Sequence, residues 1–315
     1  MKTKIYIDGS EGTTGLRIFE RIGDRDDIEL LTIDPALRKD ASERAKLMGA
    51  SDITFLCLPD AAAREAVSLI DNDHTRVIDA STAHRTAPGW AYGFAELSPA
   101  HRQAIAQGSR VANPGCHATG FISIAHPLVH AGLISPDAAL SCFSLTGYSG
   151  GGKKMIAQYE DEARDAALSS PRPYGLTQQH KHLPEMQIVS GLSRAPLFTP
   201  IVADFYAGML VGVPLDAGML RAGTTLARVH ECLCDAYAGQ KLVRVAPLDA
   251  QAQTGGFLAG NAFAGRDDLQ LIVTGNDERI TVFAQFDNLG KGACGAAIQN
   301  LNLMIGCDEA KGLNV

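Results

Sequence analysis

The sequence predicts an α/β protein: a doubly wound parallel sheet, plus an α+β domain with a mixed, largely antiparallel sheet. Three observations predict it. Short apolar strands alternate with helix-length stretches up to about residue 115. The strands there are continuous apolar runs such as ITFLCL, which suits a sheet covered on both faces. Beyond that point the rhythm changes to longer strands, two of them (LQLIVTG and RITVFAQF) joined by a short NDE turn as an antiparallel hairpin.

In order, KIYIDG (4–9) is the first strand, and GSEGTTGLRIFERIGD carries Leu16, Ile18, Phe19 and Ile22 at near-helical spacing. IELLTID (28–34) is the second strand, ASERAKLMG a helix, and DITFLCLP (52–59) the third strand. A helix over 61–70 and the strand TRVIDAS (75–81) follow. ATGFISIAHPLVHAG reads as one helix and ALSCFSLTGYSGGGKK as a strand ending in a glycine loop. PIVADFYAGMLVGVPL and KLVRVAP are strand-like, a long helix is expected over about 217–236, and the hairpin follows. The closing KGACGAAIQNLNLMIG is a helix rich in small residues, which permit close backbone packing. The expected division is therefore 1–115, completed by the C-terminal helix 290–315, and 116–289.

The chain has 315 residues, 46% hydrophobic and 20% charged, an ordinary globular composition with ample core material. A formal net charge of -7 and the absence of a basic run argue against nucleic acid. No apolar stretch approaches the roughly 18–20 residues that span a bilayer, and the N-terminus has too short an apolar run for a signal peptide. A soluble, cytoplasmic protein is expected. The cysteines are odd in number, seven, with no CxxC pair, so neither disulfides nor a thiolate zinc site is expected. Cys232 and Cys234, two apart on a helix, point to different faces.

Gly9, Gly12 and Gly15 form G-x-x-G-x-x-G between the first strand and first helix. A dinucleotide pyrophosphate sits there in Rossmann-type folds, on the helix N-terminus. Glu11 occupies the place of the usual second glycine, and Ser10, Thr13 and Thr14 offer hydroxyl donors instead. The competing reading is a tight turn without a ligand. Asp34, at the end of the second strand, suits the ribose hydroxyls of NAD, whereas Arg38 and Lys39 suit a 2′-phosphate or a merely solvated loop. Pro59 and Ser81 lie at the carboxyl ends of the third and fourth strands, the edge where ligands of open α/β sheets bind.

In ANPGCHATG, Cys116 follows a Pro-Gly turn at the start of a helix. The N–H groups and macrodipole there favour a thiolate and can stabilise an oxyanion, although a buried structural cysteine has the same spelling. A cysteine nucleophile needs an acid–base partner. His180 and His182 in QQHKHLPE stand out, with Glu185 three residues on to orient the second ring. A metal site there lacks an evident third ligand, and a plain surface loop is the other alternative. TGYSGGGKK places Ser149 and Lys153 around a triple glycine suited to an anion, and Arg85 in DASTAHR can hold a phosphate or carboxylate; capping or solvation is the alternative for each. Together these parts point to hydride transfer to or from a thioester. The rivals are other acyl phosphates of the same class, such as aspartyl phosphate or an amino-adipyl analogue, and a non-enzymatic nucleotide-sensing module.

Five pieces, GSEGTTG, DASTAHR, NPGCHATG, HKHLPE and DNLGKGACGAAIQNLN, run in one order over nearly the whole chain. In these the chain resembles the N-acetyl-gamma-glutamyl-phosphate reductases of arginine biosynthesis, in their shorter form. NPGC is shared with the aspartate-semialdehyde dehydrogenases; the HxHxPE element and the closing piece are more specific. The resemblance implies NADP as cofactor, phosphate as leaving group and N-acetylglutamate semialdehyde as product. It implies Cys116 as nucleophile and a histidine of the pair as acid–base, His182 being favoured because Glu185 can orient it and His180 being the alternative. Ser149 and Gly150 would lie beside the substrate, Asn288 and Leu289 near the nicotinamide. No metal is implied; a homo-oligomer, dimer or tetramer, is. Glu11 departs from the glycine loop of longer family members, and with Asp34 leaves the cofactor contacts open.

Overall fold

The computed structural model describes residues 2–315. Its backbone divides into two compact units. The first gathers residues up to Ala95, Pro99–Pro114 and Ala293–Leu313; the second gathers Glu96–Ser98, Gly115–Gly292 and Asn314–Val315.

The first unit alternates β1 (Thr3–Asp8), α1 (Thr13–Ile22), β2 (Ile28–Leu31), α2 (Ala41–Ala50), β3 (Ile53–Leu56), α3 (Asp60–Ser68) and β4 (Arg76–Asp79), then β5 (Ala91–Tyr92), α4 (Pro99–Gln107) and β6 (Arg110–Ala112). The six strands pair in the order β2-β1-β3-β4-β6-β5, all parallel. Successive side chains of a strand point to opposite faces, and both faces are covered. Ile5 and Ile7 pack with Ile18 and Ile22 of α1 and Ile105 of α4. Tyr6, between them, packs with Met48 of α2 and Ala63 and Ala66 of α3. That two-sided burial is why the strands read as unbroken apolar runs.

The chain passes from β1 to β2 on one side and to β3 on the other, so the strand order switches beside β1, above the glycine loop. Gly9 has φ +87°, and a Cβ there would stand 2.4 Å from the Cys57 carbonyl oxygen at the end of β3. Gly12 N–H closes the turn onto Gly9 O at 3.0 Å. A Cβ on Gly15 would stand 2.4 Å from that same Gly9 oxygen. Gly12 is the N-cap of α1 and no side chain caps this end. Gly9 and Gly15 thus let the turn close tightly on neighbouring backbone. Gly9→Ala is expected to cost about 2–4 kcal/mol, from left-handed strain plus the clash with a fixed carbonyl, and to weaken nucleotide binding; thermal unfolding and fluorescence titration with NADPH check it.

The second unit begins with α5 (Cys116–His130), followed by β7 (Ser141–Gly147), α6 (Gly152–Glu160), β8 (Arg172–Pro173), α7 (Leu183–Ser190), β9 (Leu197–Ala203), β10 (Met209–Asp216), α8 (Leu226–Ala236), β11 (Val243–Val245), the short α9 (Ala250–Gln253), β12 (Leu269–Gly275) and β13 (Arg279–Phe286). The seven strands pair in the order β11-β12-β13-β10-β7-β9-β8. Two neighbouring pairs, β11/β12 and β7/β9, are parallel and the other four antiparallel. α5 lies close on this sheet at Gly120, where a Cβ would come within 2.4 Å of Val211. From Val111 to Val129 every residue is buried except Cys116, which is half-buried.

The last helix, α10 (Gly295–Ile305), belongs to the first unit and follows a π-type turn over Gly290–Cys294. Ala297, Ile298 and Leu301 enter the apolar core beside β1 and β3. Asn300 Nδ2 donates to Gly93 O at 3.1 Å and to Asn113 Oδ1 at 3.0 Å. Asn302 Nδ2 donates to Glu309 O and Lys311 O. The QNLN spelling of the closing piece is therefore a backbone clasp as well as a signature.

Several expectations need correction. The helix expected over 217–236 is regular only from Leu226; Ala217–Met219 is a short 3-10 turn, Gly223 takes φ +80°, and Thr225 Oγ1 caps the true start by accepting Arg228 N–H at 3.2 Å. β2 stops at Leu31, so Asp34 lies in the following loop, where its carboxylate accepts the Ala36 N–H at 2.8 Å. PIVADFYAGMLVGVPL is two strands, parted by the turn over 204–208. Among the described residues, no helix is long and apolar enough to cross a membrane.

Candidate active site

Gly115, in extended conformation, is the N-cap of α5, and no side chain caps the helix. Cys116 is the first helical residue. On its other side a Cβ on Gly292 would stand 2.9 Å from Cys116 Cβ, so only glycine fits there. Gly292 N–H donates to Asp287 O at 3.0 Å, while the Asp287 carboxylate accepts the N–H groups of Leu289 and Gly265. The DNLGKG turn is thereby fixed against the cysteine. Within it, Lys291 Nζ pairs with Glu96 at 2.6 Å, both side chains fully buried.

Glu185, in the first turn of α7, is buried, and its Oε2 accepts the Gly115 N–H at 3.1 Å. Sequence reasoning gave Glu185 the task of orienting His182 and missed this bond to the cysteine turn itself.

Three histidines cluster around this helix start. His117 lies 5.5 Å from His180 and 5.6 Å from His182, and those two are 4.7 Å apart, measured between ring centroids. His182 is buried and precedes α7; His180 is half-buried. The backbone N–H of His182 donates to His180 Nδ1 at 3.2 Å. That bond makes Nδ1 the acceptor of the neutral ring and places the proton on Nε2. His117 Nδ1 is bonded to Ser144 Oγ and Nε2 to the Tyr174 hydroxyl, each at 2.7 Å. Burial, aided by His180, pushes His117 down to about 3, so this ring stays neutral across the physiological range. No group of three or more His, Cys, Asp or Glu side chains among the described residues is arranged to hold a metal ion.

Ser149 is buried, and Asn288 Nδ2 donates to its Oγ at 3.0 Å while Asn288 Oδ1 accepts the Gly208 N–H. Gly150 faces the same amide: a Cβ there would be 3.4 Å from Asn288 Nδ2. Leu289 is buried, and Lys153 stands exposed on α6. Ser149, Gly150 and Asn288 are thus brought together.

In the first unit, Arg85 donates through Nε to Asn113 O at 2.9 Å and also to Ala80 O, so its guanidinium braces the backbone ahead of the cysteine turn. Asn113 itself donates to Ala293 O at 2.9 Å. Ser81 is buried on the Asp79 carboxylate, which also binds His84 Nδ1 at 2.6 Å. Pro59 is exposed at the start of α3, and Arg38 and Lys39 are exposed in the loop between β2 and α2.

Residues 9–105 match the family model "Semialdehyde dehydrogenase, NAD binding domain", and residues 116–288 match "Semialdehyde dehydrogenase, dimerisation domain". Over 310 residues, 97% of this chain and 99% of the relative, the chain is 49% identical to an N-acetyl-gamma-glutamyl-phosphate reductase of Brucella anthropi. The chain belongs to the N-acetyl-gamma-glutamyl-phosphate reductase family. Another member, N-acetyl-gamma-glutamyl-phosphate reductase 2 of a Nostoc species, is 46% identical over 99% of both chains. The fold is that of an aspartate semialdehyde dehydrogenase from Candida albicans solved with NADP, at TM-score 0.66 and 14% identity over 97% of this chain and 99% of that one. In this reductase family, then, the glycine loop of the first unit and the cysteine turn of the second are the two places where function is to be sought.

Proposed function

We propose that the chain reduces N-acetyl-gamma-glutamyl phosphate to N-acetylglutamate semialdehyde and phosphate, the third step of arginine biosynthesis, as a cytoplasmic homo-oligomer using NADPH. The observation that carries this reading is Cys116: half-buried in an otherwise buried run, at an uncapped helix start, with the next residue, His117, clustered with His180 and His182. The relatives' names supply the substrate.

The Cys116 thiolate attacks the acyl carbon, the carbon–oxygen bond to phosphate breaks, and a thioester forms. The helix N-terminus stabilises the oxyanion at the attacked carbonyl. Bound NADPH supplies the hydride that reduces this thioester. The resulting thiohemiacetal on Cys116 then expels the thiolate and releases the aldehyde. The glycine loop suits a dinucleotide because it lies where the strand order switches beside β1 and leads into the start of α1, which no side chain caps. Arg38 and Lys39, exposed in the loop between β2 and α2, are assigned to the 2′-phosphate.

Between the two rings of HKH, His182 is the acid–base. His180 holds its Nε2 proton because its Nδ1 accepts the His182 N–H, so it serves as a donor toward the substrate. Ser149, Gly150 and Lys153 are assigned to the substrate side, Asn288 and Leu289 to the nicotinamide side. Mixing the protein with phosphate, NADP and a semialdehyde tests the substrate: fast NADPH formation is expected with N-acetylglutamate semialdehyde. Fast formation with aspartate semialdehyde and none with the acetylglutamate compound would sink the assignment.

A further inference from the structure

The ion pair of Lys291 and Glu96 is closed at 2.6 Å between side chains that are 2% and 0% exposed. Two charges so placed give up their hydration, and apolar residues of similar volume are often no less stable in such a position. Stability alone therefore does not account for the pair, and its surroundings supply another task. Glu96 lies in a 3-10 turn (Ala95–Leu97), and Glu96–Ser98 are grouped with the second unit although the chain on either side of them belongs to the first. Lys291 stands between Gly290 and Gly292, so its side chain is the only one the chain carries there. A Cβ on Gly290 would strike the Arg266 carbonyl oxygen, and one on Gly292 would stand 2.9 Å from Cys116 Cβ. The N–H groups of Gly290 and Gly292 both reach Asp287 O, at 3.1 and 3.0 Å. The π-type turn that starts at Gly290 is a rare geometry. Within it, Lys291 is the one side-chain anchor between two closely packed glycines.

We propose that the Lys291–Glu96 pair is a positioning lock for Cys116, acting through the backbone of Gly292. The proposal rests on the reading of Cys116 as nucleophile. By holding Lys291, Glu96 holds Gly292 as a wall against Cys116 Cβ. The wall restricts the rotamers of the cysteine and keeps its sulfur at the N–H groups of the uncapped start of α5, which favour the thiolate. The same turn carries Asn288, whose Nδ2 donates to Ser149 Oγ at 3.0 Å and whose Oδ1 accepts the Gly208 N–H at 2.9 Å. An apolar pair would fill the same volume without a direction. An ammonium on a carboxylate has one donor and one acceptor to match, and so selects one arrangement of the turn. Lys291 and Glu96 are positioning residues; neither faces the reacting atoms, and both act through the turn.

The test is the pH profile of Cys116 alkylation by iodoacetamide without substrate, read at the Cys116 peptide by mass spectrometry, beside the unfolding temperature. The double variant Lys291→Met with Glu96→Leu removes both charges and keeps the volume. It is expected to unfold near the wild-type temperature, yet with the apparent thiol pKa raised by about one unit and alkylation at neutral pH about tenfold slower. Glu96→Gln and Glu96→Leu leave the same charge on Lys291 and differ in the acceptor alone. Both are expected to lower the unfolding temperature, with the Glu96→Leu profile displaced to higher pH than that of Glu96→Gln, whose carbonyl still holds the ammonium. A merely structural pair would move the unfolding temperature and leave the profiles alone. A double variant with the wild-type profile overturns the proposal; if that variant does not fold, coincident profiles for Glu96→Gln and Glu96→Leu overturn it. Because no substrate enters, such a failure is distinct from failure of the proposed function, which would appear as turnover surviving in Cys116→Ala.

Discussion

Replacing Cys116 by alanine is expected to reduce turnover by at least ~10⁴-fold while nucleotide binding stays within about twofold. The size follows from the chemistry: without the sulfur no thioester forms, and a covalent route that splits one hard step into two is lost outright. No other cysteine is placed to substitute. Burial pushes the thiols of Cys57 and Cys142 far up, and those of Cys232 and Cys234 upward as well. Cys116 alone joins partial exposure to a helix start among the histidines. Binding survives because the glycine loop belongs to the first unit and the cysteine to the second. Steady-state assay with NADPH, beside fluorescence titration of the same nucleotide, measures both. Cys116→Ser gives a finer check: its hydroxyl fits the site but is a far poorer nucleophile at neutral pH, so it too is expected to fall by several orders of magnitude. Turnover near wild type in either variant would rule out the thioester route.

The parts legible in the sequence were those that a local pattern specifies. Unbroken apolar runs marked β1, β3 and β4 because both faces of that sheet are covered, and the hairpin of β12 and β13 was marked by its short turn. α6 and α7 were not legible. α6 opens on the triple glycine and carries few apolar residues, and α7 opens on HKHLPE, where the proline reads as a breaker although a proline in the first helical turn costs little. In the site, Cys116 could be found from its turn and helix. Its supports could not: Ser144 and Tyr174 reach His117 across 27 and 57 residues, and Glu185 reaches Gly115 across 70. The packing of α5 against α7 and the pairing of β7, β8 and β9 bring these groups together, and no spacing along the chain encodes that. Arg85 shows the same limit: an arginine at a strand end reads as an anion site, and no spacing along the chain encodes the two backbone carbonyls that folding brings to its Nε and Nη2.

His182→Asn is expected to lower kcat/KM by ~10²–10⁴-fold and to flatten the acidic limb of its pH profile. The direction follows from which ring can take a proton. In the free enzyme a neutral base removes the thiol proton, so activity rises as that base deprotonates and falls when acid protonates it. His117 cannot supply the limb, since burial holds it down to about 3 and both its nitrogens are bonded. His180 already holds a proton on Nε2 and cannot accept a second, at Nδ1, without releasing the His182 N–H that Nδ1 accepts. His180→Asn is therefore expected to raise KM more than it lowers kcat, with the acidic limb retained. Asparagine keeps a polar group of similar reach at each position, so the fold is conserved and the two variants differ in proton chemistry alone. The comparison of the two pH profiles decides the assignment: a limb lost in His180→Asn and kept in His182→Asn would exchange the roles of the two rings and require the His180 ring to turn over on opening of the substrate site.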